Sequence, residues 1–252
     1  MKKYFFIIFL FISVLSYSQQ KNIHVFVALC DNEFQAIAQV PEFLGNGKDI
    51  KNNLYWGAAY GIKNYFKNKT TDWDLVSEMK STSPNILERL LFKHKTMDVY
   101  MLADAYDGEK IKDCLIDFLK ASNGQFESTI VYDTLNLEFG GKSDLLAYIG
   151  HDGLMDFDVN PEYKASIDSI DVIILACYSK KYFSPHIKKA KANPLLWTTH
   201  LMAPEAYTLK SAIDGWLENE AGPQIEERAA QTYNKYQKCG IKGARNLFTT
   251  GF

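Results

Sequence analysis

Residues 171–183 read "DVIILACYSKKYF". Five of the first six are apolar. The run then stops at Cys177, between Ala176 and Tyr178, ahead of Ser179 and two lysines. A continuous apolar run of this length reads as a strand buried on both faces. "SDLLAYIGHDG" (143–153) is a second such run and stops at His151, Asp152 and Gly153. "NIHVFVALCDN" (22–32) is a third and stops at Cys30 and Asp31. Strands of this kind, alternating with helices, indicate an α/β fold. Its sheet is mostly parallel, with helices on both faces, and function gathers beyond the carboxyl ends of the strands.

The rest of the chain fits that alternation. Leu54, Ala58, Ile62, Tyr65 and Phe66 recur at helical spacing over 53–69, despite two glycines. "DWDLVSEM" reads as a short strand, and "PNILERLLFKH" as a helix opening on Pro84. "TMDVYMLADAYDG" (96–108) is a strand. The following "GEKIKDCLIDFLKAS" is a helix with Cys114 on its apolar face. "LMDF" is expected as a short return strand, "NPEYKASIDSI" as a short helix and "PLLWTTHLM" (194–202) as a strand. Two helices close the chain, with Pro204 and Pro223 in their first turns and Gly240 as a C-cap.

The amino terminus, "MKKYFFIIFLFISVLSYSQQ", has a basic start, a twelve-residue apolar run and small residues at 16 and 18. This is the pattern of a secretory signal peptide over residues 1–18, cut before Gln19 or Gln20. The apolar run falls short of the roughly 20 residues that span a bilayer. The expected product is a single domain over 19–252, periplasmic or secreted, with no membrane span. The formal net charge of −2, with no basic block, gives nucleic acid no footing. The four cysteines match no zinc spacing, so neither a metal nor another cofactor is expected. "GNGKD" lacks the pattern of a phosphate loop, and Asn68-Lys69-Thr70 matches a glycosylation sequon.

His151 and Cys177 end successive apolar strands. If those strands are parallel neighbours, both side chains leave the same edge of the sheet. A thiol is mostly protonated at neutral pH, and a nearby imidazole can take its proton or stabilise the thiolate. Backbone amides at Gly153 could hold a developing oxyanion. Asp31, Asp152, Ser179 and Glu205 are the other polar residues at strand ends, and they are candidates for contact with substrate. Cys30, Cys239 and His200 read as structural.

"LLAYIGHDG" and "VIILACYS" together resemble the signature of the caspase-like cysteine peptidases, which include caspases, metacaspases, legumains, gingipains and clostripain-like enzymes. The resemblance implies a three-layer caspase-like sandwich and an exported cysteine peptidase-like hydrolase acting on peptide or protein substrates. In it Cys177 is the nucleophile, His151 the general base or ion-pair partner, and the amides of Gly153 and Cys177 the oxyanion donors. Asp152 stands between the histidine and the glycine, and the His-to-Cys interval is 26 residues, shorter than is usual in the group. Related enzymes that cut after basic residues often carry an acid two residues before the cysteine. Leu175 occupies that place here, so a neutral or apolar specificity pocket, or none, is expected. The alternatives are a catalytically inactive binding or scaffold protein of the same fold, and a thiol-dependent amidase or transferase acting on a non-protein substrate.

Overall fold

β1 (Lys21–Ala28) buries both of its faces, which is what a central strand requires. Ile23, Val25 and Val27 pack into one core layer, and Phe26 and Ala28 into the other. On either side of it lie β4 (Val99–Tyr106) and β7 (Leu145–Ile149), both parallel to it and both fully buried. β8 (Asp171–Leu175) and β9 (Asn193–Thr198) continue the parallel sheet. Beyond β4, β3 (Ile86–His94) and β2 (Trp73–Met79) add antiparallel strands, and β10 (Phe248–Thr249) closes the other edge antiparallel to β9. The order across the eight-stranded sheet is β10-β9-β8-β7-β1-β4-β3-β2. This computed structural model describes residues 20–165 and 168–252, so the expected leader at 1–18 lies outside the described residues.

Helices cover both faces. α1 (Ile62–Asn68), α4 (Ala206–Leu217), α5 (Gly222–Gln237) and α6 (Ile241–Leu247) pack on the face that carries Val25 and Ile173. α2 (Ile111–Ala121) and α3 (Ser179–Ala190) cover the face that carries Phe26 and Ile174. Cys114 sits wholly buried on the inner face of α2, as its helical spacing requires. The arrangement is α/β, mostly parallel and compatible with a three-layer sandwich.

Several elements depart from the sequence reading. "PNILERLLFKH" is strand β3. Its Leu90 and Phe92 enter one core layer and its Leu91 another, so the apolar residues that match a helical stripe serve two faces of a strand. The helix expected over 53–69 forms only at its carboxyl half. Ahead of it the Asn53 amide takes over the local hydrogen bonds, accepting from the N–H of Cys30 and Tyr55 and donating to the carbonyls of Cys30 and Asn46. "LMDF" continues from a 3₁₀ turn, Gly153–Met155, and makes no strand. The described part of 160–170 is not helical, because the Asn123 side chain pairs with the N–H and carbonyl of Lys164. Pro204 precedes the N-cap of α4, and Gly240, at φ 84°, begins α6 after α5 has ended at Lys238.

A hairpin absent from the sequence reading, β5 (Glu127–Tyr132) with β6 (Leu135–Gly140), packs Ile130, Leu137 and Phe139 over β3 and β4. A buried polar cluster holds it there. Arg89 and Asp104 face each other across β3 and β4 and pair through two bonds of 2.7 Å. Arg89 also donates to Ser128 on the hairpin. His24 Nε2 lies 2.9 Å from the same carboxylate, while its Nδ1 accepts the Gly140 N–H at 3.1 Å. The imidazole is therefore neutral, with its proton on Nε2. At Gly140, φ is +68° and a Cβ would collide with the Phe126 carbonyl, so only glycine serves.

Removing Asp104 (Asp104→Ala) leaves the largely covered Arg89 and the buried His24 without their carboxylate and is expected to cost about 3–5 kcal/mol. Burial lowers the His24 pKa below its ordinary 6.5, with the Asp104 bond opposing that shift. The unfolded chain therefore takes up this proton first as pH falls. The His24 contribution to stability is complete above about pH 6.5 and is lost below it. Urea unfolding between pH 8 and 5 should show that slope in the parent and a smaller one in His24→Asn. Equal slopes would contradict the assignment.

Candidate active site

β7 and β8 pair in parallel with Ile149 opposite Leu175, and the Gly150 N–H reaches the Leu175 carbonyl at 3.4 Å. His151 and Cys177 each stand two residues beyond those partners. They therefore leave neighbouring strands at the same step of the same edge. Ile149 and Leu175 both pack toward the α1/α4/α5 layer, and both strands end there. At Gly150 the chain takes φ +154° where a Cβ would press on the Ala28 carbonyl, so glycine permits the exit of His151 past β1.

Cys177 occupies a tight strand-to-helix elbow. Tyr178 is held at φ 50°, an αL conformation that side chains other than glycine rarely take, and α3 begins at the next residue. Two buried hydroxyls fix the elbow. Ser179 Oγ donates to the Ile174 carbonyl at 2.8 Å and accepts the Thr198 N–H at 2.9 Å, while Thr198 Oγ1 donates to the Ala176 carbonyl. The Tyr178 N–H is held by the His200 carbonyl. The thiol itself is partly exposed. Its sulfur accepts the Met202 N–H at 3.4 Å and lies 3.6 Å from the Met202 carbonyl. Burial pushes the Cys177 pKa up, the Met202 backbone opposes this, and a charged Asp152 adds to the rise. At rest the sulfur is a thiol.

His151 is 7% exposed. Its Nε2 lies 2.6 Å from Asp156 Oδ2, and its carbonyl accepts the Tyr148 hydroxyl at 2.7 Å. With Asp156 on Nε2, Nδ1 is the ring atom left to act as a base. Asp152 comes next at φ −80°, ψ 84°, which closes an inverse γ-turn from the Gly153 N–H to the His151 carbonyl at 3.1 Å. The sequence makes Gly153 an expected oxyanion donor. In this conformation its N–H is engaged in that turn, and the residue packs against Leu115 and Phe157 on the α2 side.

The remaining candidates disperse. Ser179, a candidate for contact with substrate, is instead wholly buried in the elbow. Asp31 is buried at the end of β1, accepting the N–H groups of Glu33 and Phe34, and lines a recess of about 260 Å³ with Gly47 and Lys48. Leu175 lies in the core, as its apolar run implies. Glu205 is half-buried beside the site. It accepts from Tyr207 and Gln237 and forms part of the wall of a cavity of about 360 Å³. The buried Tyr55 phenol links these groups: burial pushes its pKa well up, and negative charge on Cys30, Cys177 or Glu205 raises it further. Cys30 is fully buried, and burial takes its thiol to about 11. Asp156, Met202, Asn53 and Tyr55 do not stand out in the sequence. No local motif marks them: Met202 acts through its backbone, and Asp156, Asn53 and Tyr55 meet their partners only in the folded chain.

Among the described residues, no group of three or more metal-ligating side chains is placed to hold an ion, and no helix is long and apolar enough to cross a membrane. Comparison with protein-family models, with curated proteins and with solved structures finds no match for this chain.

Asp152 is wholly buried. One carboxylate oxygen accepts the Leu154 N–H, and the other has no partner among the described residues. Burial pushes this carboxyl up to about 7, with Leu154 opposing and Asp156 adding. The folded chain holds the proton to about pH 7, whereas the unfolded chain releases it near 4. The stabilising contribution is thus present below about pH 4 and lost as pH rises through 7. Asp152→Asn should stabilise the chain by a few kcal/mol at pH 8 and leave it little changed at pH 4. Denaturant titrations at the two pH values check this, and an equal effect at both would contradict it.

Proposed function

We propose that the chain is a caspase-like thiol peptidase in which Cys177 attacks a peptide carbonyl and His151 carries the proton. The observation behind this reading is the parallel register of β7 and β8, which sets a histidine and a cysteine at one step of one sheet edge. That is the placement the signature in "LLAYIGHDG" and "VIILACYS" implies. The strands lie within a mostly parallel sheet covered on both faces, which supports the same family.

The raised Cys177 pKa favours general-base catalysis over a preformed thiolate–imidazolium pair. As the sulfur bonds to the carbonyl carbon, its proton passes to His151 Nδ1. Asp156 holds the ring through Nε2 and stabilises the imidazolium that forms. The tetrahedral oxyanion takes a hydrogen bond from the Cys177 amide. When the C–N bond breaks, His151 returns the proton to the leaving amine and a thioester remains. Water, deprotonated by the same imidazole, then releases the acid and restores the thiol.

Cleavage of a fluorogenic peptide library tests this. Cys177→Ala should abolish turnover, and His151→Ala should lower kcat by about 10²–10⁴. Asp156→Asn should lower kcat more than it changes KM, and should shift the acid limb of the pH profile. Turnover that survives Cys177→Ala would overturn the proposal. The absence of any turnover in the parent would favour the binding-protein alternative, to which the Met202 contacts on the thiol already lend some support.

A further inference from the structure

The loop between β9 and α4 carries Met202 to the thiol and is pinned on both sides of it. Ahead of Met202, the Thr199 N–H donates to the Leu247 carbonyl at 2.9 Å, and the His200 carbonyl accepts the Tyr178 N–H at 3.0 Å. Beyond it, the Ala203 N–H donates to the Tyr233 hydroxyl at 3.0 Å, and the Ala206 N–H to the Tyr60 carbonyl at 2.9 Å. Leu201 is 67% exposed and adds little packing. Of the two pins nearest Met202, the one at His200 is backbone and the one at Ala203 is a side chain. Tyr233 reaches that amide from α5, buried, with its ring edge-on to Phe248 at 5.5 Å.

The two backbone groups of Met202 act on the sulfur in opposite senses. The carbonyl, at 3.6 Å, can accept the S–H proton and so serves only the thiol. The N–H, at 3.4 Å, donates to the sulfur, and such a bond strengthens once its acceptor is charged. The N–H contact is the shorter, and the Met202 backbone is the influence that opposes burial at Cys177. The titratable groups that share the sulfur's surroundings are Asp152 after β7, Tyr55 ahead of α1 and Tyr233 on α5. All three are acids, and negative charge on any of them opposes a thiolate. Burial keeps the Tyr233 phenol neutral by pushing its pKa up, so its oxygen stays an ordinary acceptor for Ala203.

We infer that Tyr233 is a positioning residue for Cys177: by accepting the Ala203 N–H it fixes the loop so that the adjoining Met202 N–H stays on the sulfur. The inference rests on the reading of Cys177 as the reactive thiol, yet its test needs no turnover. Iodoacetamide labelling of Cys177 in the full chain, followed across pH, reports the thiolate. Tyr233→Phe keeps the ring and removes the acceptor. It should move the midpoint of the Cys177 profile up by about half a pH unit or more, which slows labelling at neutral pH about threefold or more. Tyr65→Phe removes another buried phenol, one whose partner is the Tyr236 hydroxyl, and should leave the profile in place. A Tyr233→Phe profile that stays put or moves down would overturn the inference, as would an equal upward shift in Tyr65→Phe. The predicted shift in a chain whose parent cleaves no peptide would uphold the positioning role while refuting the peptidase.

Discussion

The pairing of Ile149 with Leu175 across β7 and β8 is the constraint on which the functional reading depends. Parallel strands in register deliver residues at equal distances past their ends to the same edge. A slip of one residue would put His151 and Cys177 out of step at that edge. Burial secures the register: both strands are apolar throughout nearly all of their paired length, so any slip would exchange the contents of two core layers. Ser179 and Thr198 then fix the elbow beyond β8. Their hydroxyls satisfy carbonyls at the end of that strand and hold the αL turn at Tyr178 that presents the thiol.

The electrostatics of the edge describe a resting state. Burial keeps Cys177 protonated, and Asp152 reinforces that once it ionises, above about pH 7. Meanwhile the His151–Asp156 contact fixes the ring through Nε2. On the proposed peptidase reading, a site arranged this way would move its proton during attack on the carbonyl. The same low-dielectric surroundings that raise the thiol pKa would strengthen the hydrogen bonds that hold an oxyanion.

The central parallel strands are legible in the sequence because each is a short, continuous apolar run ending in polar residues. The His151 and Cys177 strand ends are legible for the same reason. β3 is not, since Ile86, Leu87, Leu90 and Leu91 also satisfy a helical stripe, and only pairing with β4 decides between them. The hairpin β5–β6 depends on His24, Arg89 and Asp104, which lie far apart in sequence and meet only in the folded chain. The polar residues of the site divide similarly. Ser179 and Gly153 look like cleft residues from their neighbours in sequence, yet one is used inside the elbow and the other inside the turn. Asp156 lies in a segment that reads as a strand, and nothing local shows that the chain curls back onto His151.

Alkylation of the thiols by iodoacetamide, tracked residue by residue across pH in the parent and in His151→Ala, tests the central claim most directly. Cys30 and Cys114 are buried, so the comparison falls between Cys177 and the exposed Cys239. If His151 serves as the base for Cys177, the parent should label Cys177 at neutral pH well faster than its raised pKa alone allows. His151→Ala should slow that labelling about tenfold or more and leave Cys239 unchanged. Labelling of Cys177 at the same rate in both proteins would contradict the account.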